Sequence, residues 1–347
     1  MAVPDQELRL TARHAFVFWG VAALLLALAI AVRIAAPILI LTFGGLLFGI
    51  WLRGAAESLA RHAHMRVGWA IAICVVVLGL VLFVGLEWVA PHVQEQAGPL
   101  WNESVQAVRD LRAQLGDSLL GRLLSTDTIH LGAWIKAHAL LAGTFVIDVF
   151  GVLGSIVYVA FVGLYYAASP RLYRRGMLAL VPRSRRERID QLCDELGWAL
   201  RRWMWARLAS MILLGAASTL ALWLLGIPLA LTLGVLAGVL LFVPYLGSIA
   251  SAIPALLVAL TVSPMHVVYV AIVYVLIHLA DGYLLTPQLL NRAVDTPPLV
   301  LLAAQLVAGA LWGLIGITFA TPLVACAMIV VKRLYVDDVL ETPAPDS

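Results

Sequence analysis

The sequence predicts an all-α, polytopic integral membrane protein of about eight transmembrane helices, since each crossing takes about 20 apolar residues. Three observations carry that expectation. The 347 residues are 63% hydrophobic and only 12% charged, against about a quarter charged in soluble domains, and the mean hydropathy is +0.98. The run from Leu208 to Ala280 contains no Asp, Glu, Lys or Arg. Inside that run, Phe242-Val-Pro-Tyr-Leu-Gly-Ser-Ile-Ala-Ser-Ala-Ile-Pro254 interrupts the apolar pattern with prolines and a glycine. Proline donates no backbone hydrogen bond and glycine relaxes the backbone. A helix broken at membrane depth survives only where protein or a water-filled cavity satisfies the freed groups. The segment 242–254 is therefore expected to be a broken or re-entrant element.

The formal net charge of +3 comes from Arg residues clustered beside apolar runs, so no nucleic-acid partner is expected. Cys74, Cys193 and Cys326 are widely separated and give neither a metal spacing nor a disulfide framework. No cofactor is expected. The first apolar segment leads directly into another without a small-residue cleavage site, so no cleavable signal is expected either.

Along the chain, Ala15 to Val32 and Ile34 to Leu52 are uncharged runs separated by Arg33, read as a tight hairpin with Arg33 snorkelling near its turn. Residues 53–66 carry Arg53, Arg61 and Arg66 against Glu57. Val67 to Leu86 is a third span, giving three within 14–90, with Trp88 as an interfacial aromatic. Residues 91–138 form the first long polar segment. Trp101, Val105, Val108, Leu111 and Leu115 recur there at helical spacing, the mark of an amphipathic surface helix.

The fourth span falls in 139–169, an apolar stretch broken by Asp148. Residues 170–207 are dense in Arg. Ser184 and Glu187 have capping-box spacing, and Ile189, Leu192, Leu196, Leu200 and Trp203 form a helical stripe. The segment 184–205 reads as an amphipathic helix pressed on anionic headgroups. The rest, 208–333, is the transport core of a single membrane domain covering 1–347. Leu208 to Leu225 is a span, Gly226-Ile-Pro228 a turn, and Leu229 to Val262 one broken crossing or a re-entrant hairpin. Val267 to Leu285 is a further span, and 299–331 a crossing or hairpin punctuated by glycine. Positive loops stay inside. That rule places 53–66, 170–207 and both termini in the cytoplasm and 91–138 outside.

Several motifs occur in a fixed order: Phe242-Val-Pro-Tyr-Leu-Gly247, Ile253-Pro-Ala255, Asp281-Gly-Tyr-Leu-Leu-Thr-Pro287, Pro297-Pro-Leu-Val300, Gly309-Ala-Leu-Trp-Gly-Leu-Ile-Gly316 and Ala320-Thr-Pro322. In that order they resemble the autoinducer-2 exporter family, also called PerM-like permeases. The likeness in length and layout covers the whole chain, and its motifs are specific from about residue 226 onward. It implies a bacterial inner-membrane protein of about eight spans that forms homo-oligomers. Members are assigned to export of autoinducer-2 or to sodium–proton antiport. Where the family commonly has Gln or a similar residue and then Glu in the penultimate span, this chain has His278 and Asp281.

Asp281 is the sharpest candidate for a working residue. An acid at the end of an apolar span is costly and faces a cavity, a partner or water. It reads as a cation or proton site with His278 one turn earlier on the same face, or as an interfacial cap paired with Arg292. Asp148 is deep if its span starts near Ala139 and interfacial if it starts near Phe145. Pro244, Tyr245, Gly247, Ser248, Ser251 and Pro254 read as a substrate or ion path lined by freed carbonyls and hydroxyls, or as a kink that permits close packing. Gly309, Gly313 and Gly316 read as packing or a hairpin turn.

The chain lacks HExxH, G-x-S-x-G and Walker signatures, so no enzyme activity is expected. The partners expected are the lipid bilayer and a small-molecule or ion substrate. The functional expectation is a secondary transporter or exporter of a small solute, proton-coupled through His278 and Asp281. The alternatives are a monovalent cation/proton antiporter and an oligomeric scaffold without transport activity.

Overall fold

The protein is described here by a computed structural model. It covers residues 5–85, 142–243, 246–282 and 297–340, with positions 87, 91 and 106. Every regular element among the described residues is helical. In chain order these are α1 (Asp5–Ala63), α2 (Val67–Gly85), α3 (Ala142–Ala168), α4 (Pro170–Ala179) and α5 (Arg186–Leu224), then α6 (Ala230–Leu240), α7 (Leu246–Val262), α8 (Pro264–Ala280) and α9 (Pro298–Val331). A π-helical turn, Lys332–Leu340, closes the described chain. The amphipathic segment expected at 91–138 lies outside the described residues apart from two isolated positions.

The hairpin expected at Arg33 is absent. α1 continues through Arg33 and Pro37 as one helix of 59 residues. Arginine is a good helix former, and nothing beside it supplies a turn. The eight-span count took 14–52 as two crossings. That count, and the cytoplasmic N-terminus inferred from it, lose this support. Among the described residues, the helices long and apolar enough to cross alone are Val32–Ala63, α2, Arg183–Leu224 and Pro298–Asp338.

α9 is not a single rod. Gly313 adopts φ 62 and ψ −143, and the Gln305 amide nitrogen reaches the Thr321 hydroxyl at 3.4 Å. An unbroken helix would hold residues sixteen apart about 24 Å from each other. The arms therefore run antiparallel about Gly313, the hairpin-turn reading of these glycines.

α1 and α3 run parallel and nearly touch. A Cβ added at Gly49 would lie 2.6 Å from the Gly163 carbonyl oxygen, and one at Gly163 would lie 2.8 Å from that of Gly45. Small residues four apart let membrane helices approach this closely. Arg53 Nη1 donates to the Ala167 carbonyl at 3.0 Å, and Gly54 packs on the Arg201 side chain. At the same end Arg333 bonds Glu195 at 2.7 and 3.0 Å. The basic segments 53–66, 170–207 and 332–333 thus gather at one end of the molecule, as the charge pattern requires of loops sharing one side.

The amphipathic helix expected at 184–205 and the span after it are one continuous helix, α5. Ser184 sits in a 3-10 turn, and the N-cap residue, Arg185, makes no side-chain cap, so the capping box is not formed. The apolar stripe is real, but it faces protein rather than headgroups. Leu192 and Ala199 pack on Ile329 of α9 with Ile189 and Leu196 alongside, and Leu200 and Trp203 pack on Leu47 and Ile50 of α1. Two ion pairs, Arg188–Asp338 and Arg333–Glu195, hold the π-helical turn against α5.

From Leu208 onward, α5 to α8 form an antiparallel unit. Gly226 and Leu229, both at positive φ, make the α5–α6 turn. Ser263 caps α8, its hydroxyl accepting from the His266 backbone N–H at 3.3 Å. Leu222, Leu233, Ala255, Val258, Ala259, Val270 and Tyr274 form the shared core. Leu233 of α6 packs with Ala255, Val258 and Ala259 of α7, so α6 and α7 run antiparallel as the two arms of a hairpin.

Candidate functional site

The tip of the α6–α7 hairpin and the C-terminal end of α8 meet α5 at the same level. Arg207 Nε donates to the Phe242 carbonyl at 3.3 Å. That carbonyl stands where the break has left the ladder short of donors. Phe242 itself is fixed edge-on between Trp203 at 6.1 Å and Phe319 at 6.5 Å. Arg207 lies six residues beyond Arg201 of the basic end, hence about 9 Å further along the helix, and its charge interacts with Asp281.

His278 lies one turn before Asp281, and its ring stands edge-on to Tyr274 at 5.9 Å. The imidazole sits beside both the Asp281 carboxylate and the backbone of Ser248. Neither ring nitrogen reaches hydrogen-bonding geometry, and both are shut off from solvent, as are the Tyr274 hydroxyl and Arg207 Nη2. Each buried polar group left unmatched costs about 1–3 kcal/mol. Such a concentration of costly groups is a mark of function.

The sequence-predicted residues divide accordingly. The fold brings Ser248, His278 and Asp281 together with Arg207. Gly247 is buried, donates its N–H to Val243 at 3.0 Å, and lies so close to the Leu240 carbonyl that no side chain fits. Ser251 is 1% exposed and turns its hydroxyl back onto the Ser248 carbonyl at 2.9 Å. Pro254 lies inside α7 and leaves the Ala250 carbonyl without its usual donor. Asp148 falls within α3, away from this cluster in sequence and element. Pro244, Tyr245 and Arg292 lie outside the described residues.

Arg207 was not singled out by sequence, yet a signal was there. It is the last charge before the uncharged run, and Asp281 is the first after it.

Among the described residues, the all-helical architecture with long apolar helices, two hairpins and a charged cluster near the tip of one of them is that of a polytopic membrane protein. The chain belongs to the AI-2E transporter family: the profile described as "AI-2E family transporter" matches residues 21–335. It is 29% identical over 190 residues to the "Putative transport protein YrrI" of Bacillus subtilis (strain 168), covering 55% of this chain and 52% of that one. It is 27% identical over 193 residues to the "Putative transport protein YueF" of the same strain, covering 54% and 51%. Over 51 residues it is 45% identical to the "Putative permease PerM" of Escherichia coli (strain K12), covering 15% and 14%. The chain spans about half the length of the first two of these curated relatives.

Proposed function

We propose that this chain is a bacterial inner-membrane secondary transporter that exports a small polar solute of the autoinducer-2 kind, with proton movement coupled at Arg207, His278 and Asp281. One observation carries the reading: the two charges bracketing the uncharged run return to the same end of the α5–α8 unit, where Arg207 donates to the Phe242 carbonyl at 3.3 Å and His278 lies one turn before Asp281. Arg207 holds the tip through the Phe242 carbonyl, and Asp281 stands at the same end of the four-helix unit as the acid that would take up the coupled proton. The guanidinium, with its planar fork of donors, is available to the oxygens of a solute. His278, one turn before Asp281 on α8, is the group that would pass the proton on. The end that gathers Arg53, Arg201 and Arg333 is the cytoplasmic one, which puts the C-terminus inside. A homo-oligomer is proposed on the family likeness alone.

The antiporter reading is weaker, because a resident guanidinium beside Asp281 repels a sodium ion from that carboxylate. Flux of a labelled polar solute into proteoliposomes, with and without an imposed pH gradient, tests the proposal. Asp281→Asn is expected to abolish the response to the gradient while downhill flux persists. An unchanged response sinks the coupling, and dissipation of the gradient by Na⁺ with no solute flux favours the antiporter.

A further inference from the structure

α4 is too basic to cross a membrane, with Arg171, Arg174 and Arg175 in its ten residues, because charge in the hydrocarbon is costly. It is also too apolar for a helix bathed in water. Leu172 is 67% exposed, Tyr173 47%, Met177 45% and the C-capping Leu180 88%. The opposite side is anchored. Arg174 binds Asp190 at 2.5 Å and Asp194 at 2.5 and 2.7 Å, and Arg186 closes the C-terminal end through the Val181 carbonyl at 3.0 Å. At 100° per residue Leu172, Tyr173 and Leu180 share one arc while Arg171 and Arg175 share the next. Both arginines are exposed and make no ion pair among the described residues. α4 leaves the apolar part of α3, Leu153–Ala168, at 86°.

We infer that α4 is a docking surface for the anionic phospholipid headgroups of the leaflet at the basic end. Where α3 crosses the bilayer, the right-angle bend lays α4 along its surface. The apolar arc then sits below the headgroups, and Arg171 and Arg175 bind lipid phosphates at the rim. The charge complementarity is direct, because each exposed Arg near an anionic surface favours it. The structure thus moves the headgroup contact from 184–205, whose stripe packs on α1 and α9, to the preceding helix.

Amide exchange of residues 170–182 in the full chain provides the test, measured in nanodiscs of phosphatidylcholine and of phosphatidylcholine with phosphatidylglycerol. Exchange is expected to slow roughly tenfold or more with the anionic lipid, an effect lost at high salt. Arg171→Gln/Arg175→Gln should erase the lipid difference while exchange across α5 stays unchanged, which also reports that the variant folds. If that variant does not fold, the salt dependence of the unaltered chain decides. Equal exchange in the two nanodiscs overturns the inference. So does slowing by inorganic phosphate in phosphatidylcholine alone, which would mark a free-phosphate site.

Discussion

Arg207 and Asp281 flank the uncharged run from Leu208 to Ala280, and the fold returns one to the other. α5 and α7 carry the chain away from Arg207, and α6 and α8 bring it back, so that Asp281 at the end of α8 returns to the Arg207 end of the unit. Phe242, just beyond α6, is fixed at this end because Arg207 donates to its carbonyl.

Removing one charge takes away its electrostatic interaction with the other. Arg207→Met and Asp281→Asn should each destabilise the protein by about 1–3 kcal/mol, whereas the double variant, with neither charge, should lie closer to the parent. Thermal unfolding in detergent measures all three. Single variants as stable as the parent, or a double variant worse than the two losses combined, would contradict the pairing.

The α5–α6 contact depends on missing side chains. A Cβ at Gly234 would stand 2.7 Å from the Thr219 backbone nitrogen and 2.8 Å from the Gly215 carbonyl oxygen. Backbone cannot yield as a side-chain tip can. Gly234→Leu should cost about 1–3 kcal/mol through overpacking, while Gly68→Leu, with nothing within 4 Å, should leave the melting temperature nearly unchanged. Equal shifts for the two would sink the argument.

Gly313 and Gly79 both face open space, yet alanine should act on them with opposite sign. Gly79 lies in regular helix, where Ala is favoured by about 0.5–1 kcal/mol. Gly313 holds φ 62 with ψ −143, a region almost reserved for glycine, so Gly313→Ala should cost about 1–3 kcal/mol. Comparison of their melting temperatures checks the hairpin directly: a stabilising Gly313→Ala would mean that the α9 arms are not folded back there.

The sequence was most informative where one physical effect dominates. Scarce charge and long apolar runs led to a helical membrane chain, and the interruption read from Phe242 onward falls where α6 gives way to α7, although Pro254 lies inside α7. It misled where two effects compete. Arg33 looked like a turn because charge avoids the membrane, but helix propensity carries α1 through it. The stripe from Ile189 to Trp203 was legible, but its partner was not, since periodicity says that a face is buried and not by what. Arg207 was read with the loop before it. Its role depends on three chain reversals returning Asp281 to its level, and such long-range closure leaves no local trace.

Arg174 fastens α4 to α5 through two carboxylates, and that tether should respond to pH in a definite direction. Its hydrogen bonds hold the Asp194 carboxyl below the ordinary value of 3.8. A depressed folded-state value means the stabilisation is fully present above 3.8 and is lost as pH falls through the lower folded value. Asp194 is 67% exposed, so the contribution is screened and small, and salt should weaken it. Amide exchange of 170–182 should therefore be independent of pH near neutrality, once intrinsic rates are corrected for, and should accelerate only in acid. Arg174→Gln should show the accelerated exchange already at neutral pH and no further change in acid. Acid acceleration of equal size in that variant would place the responsible carboxylate elsewhere.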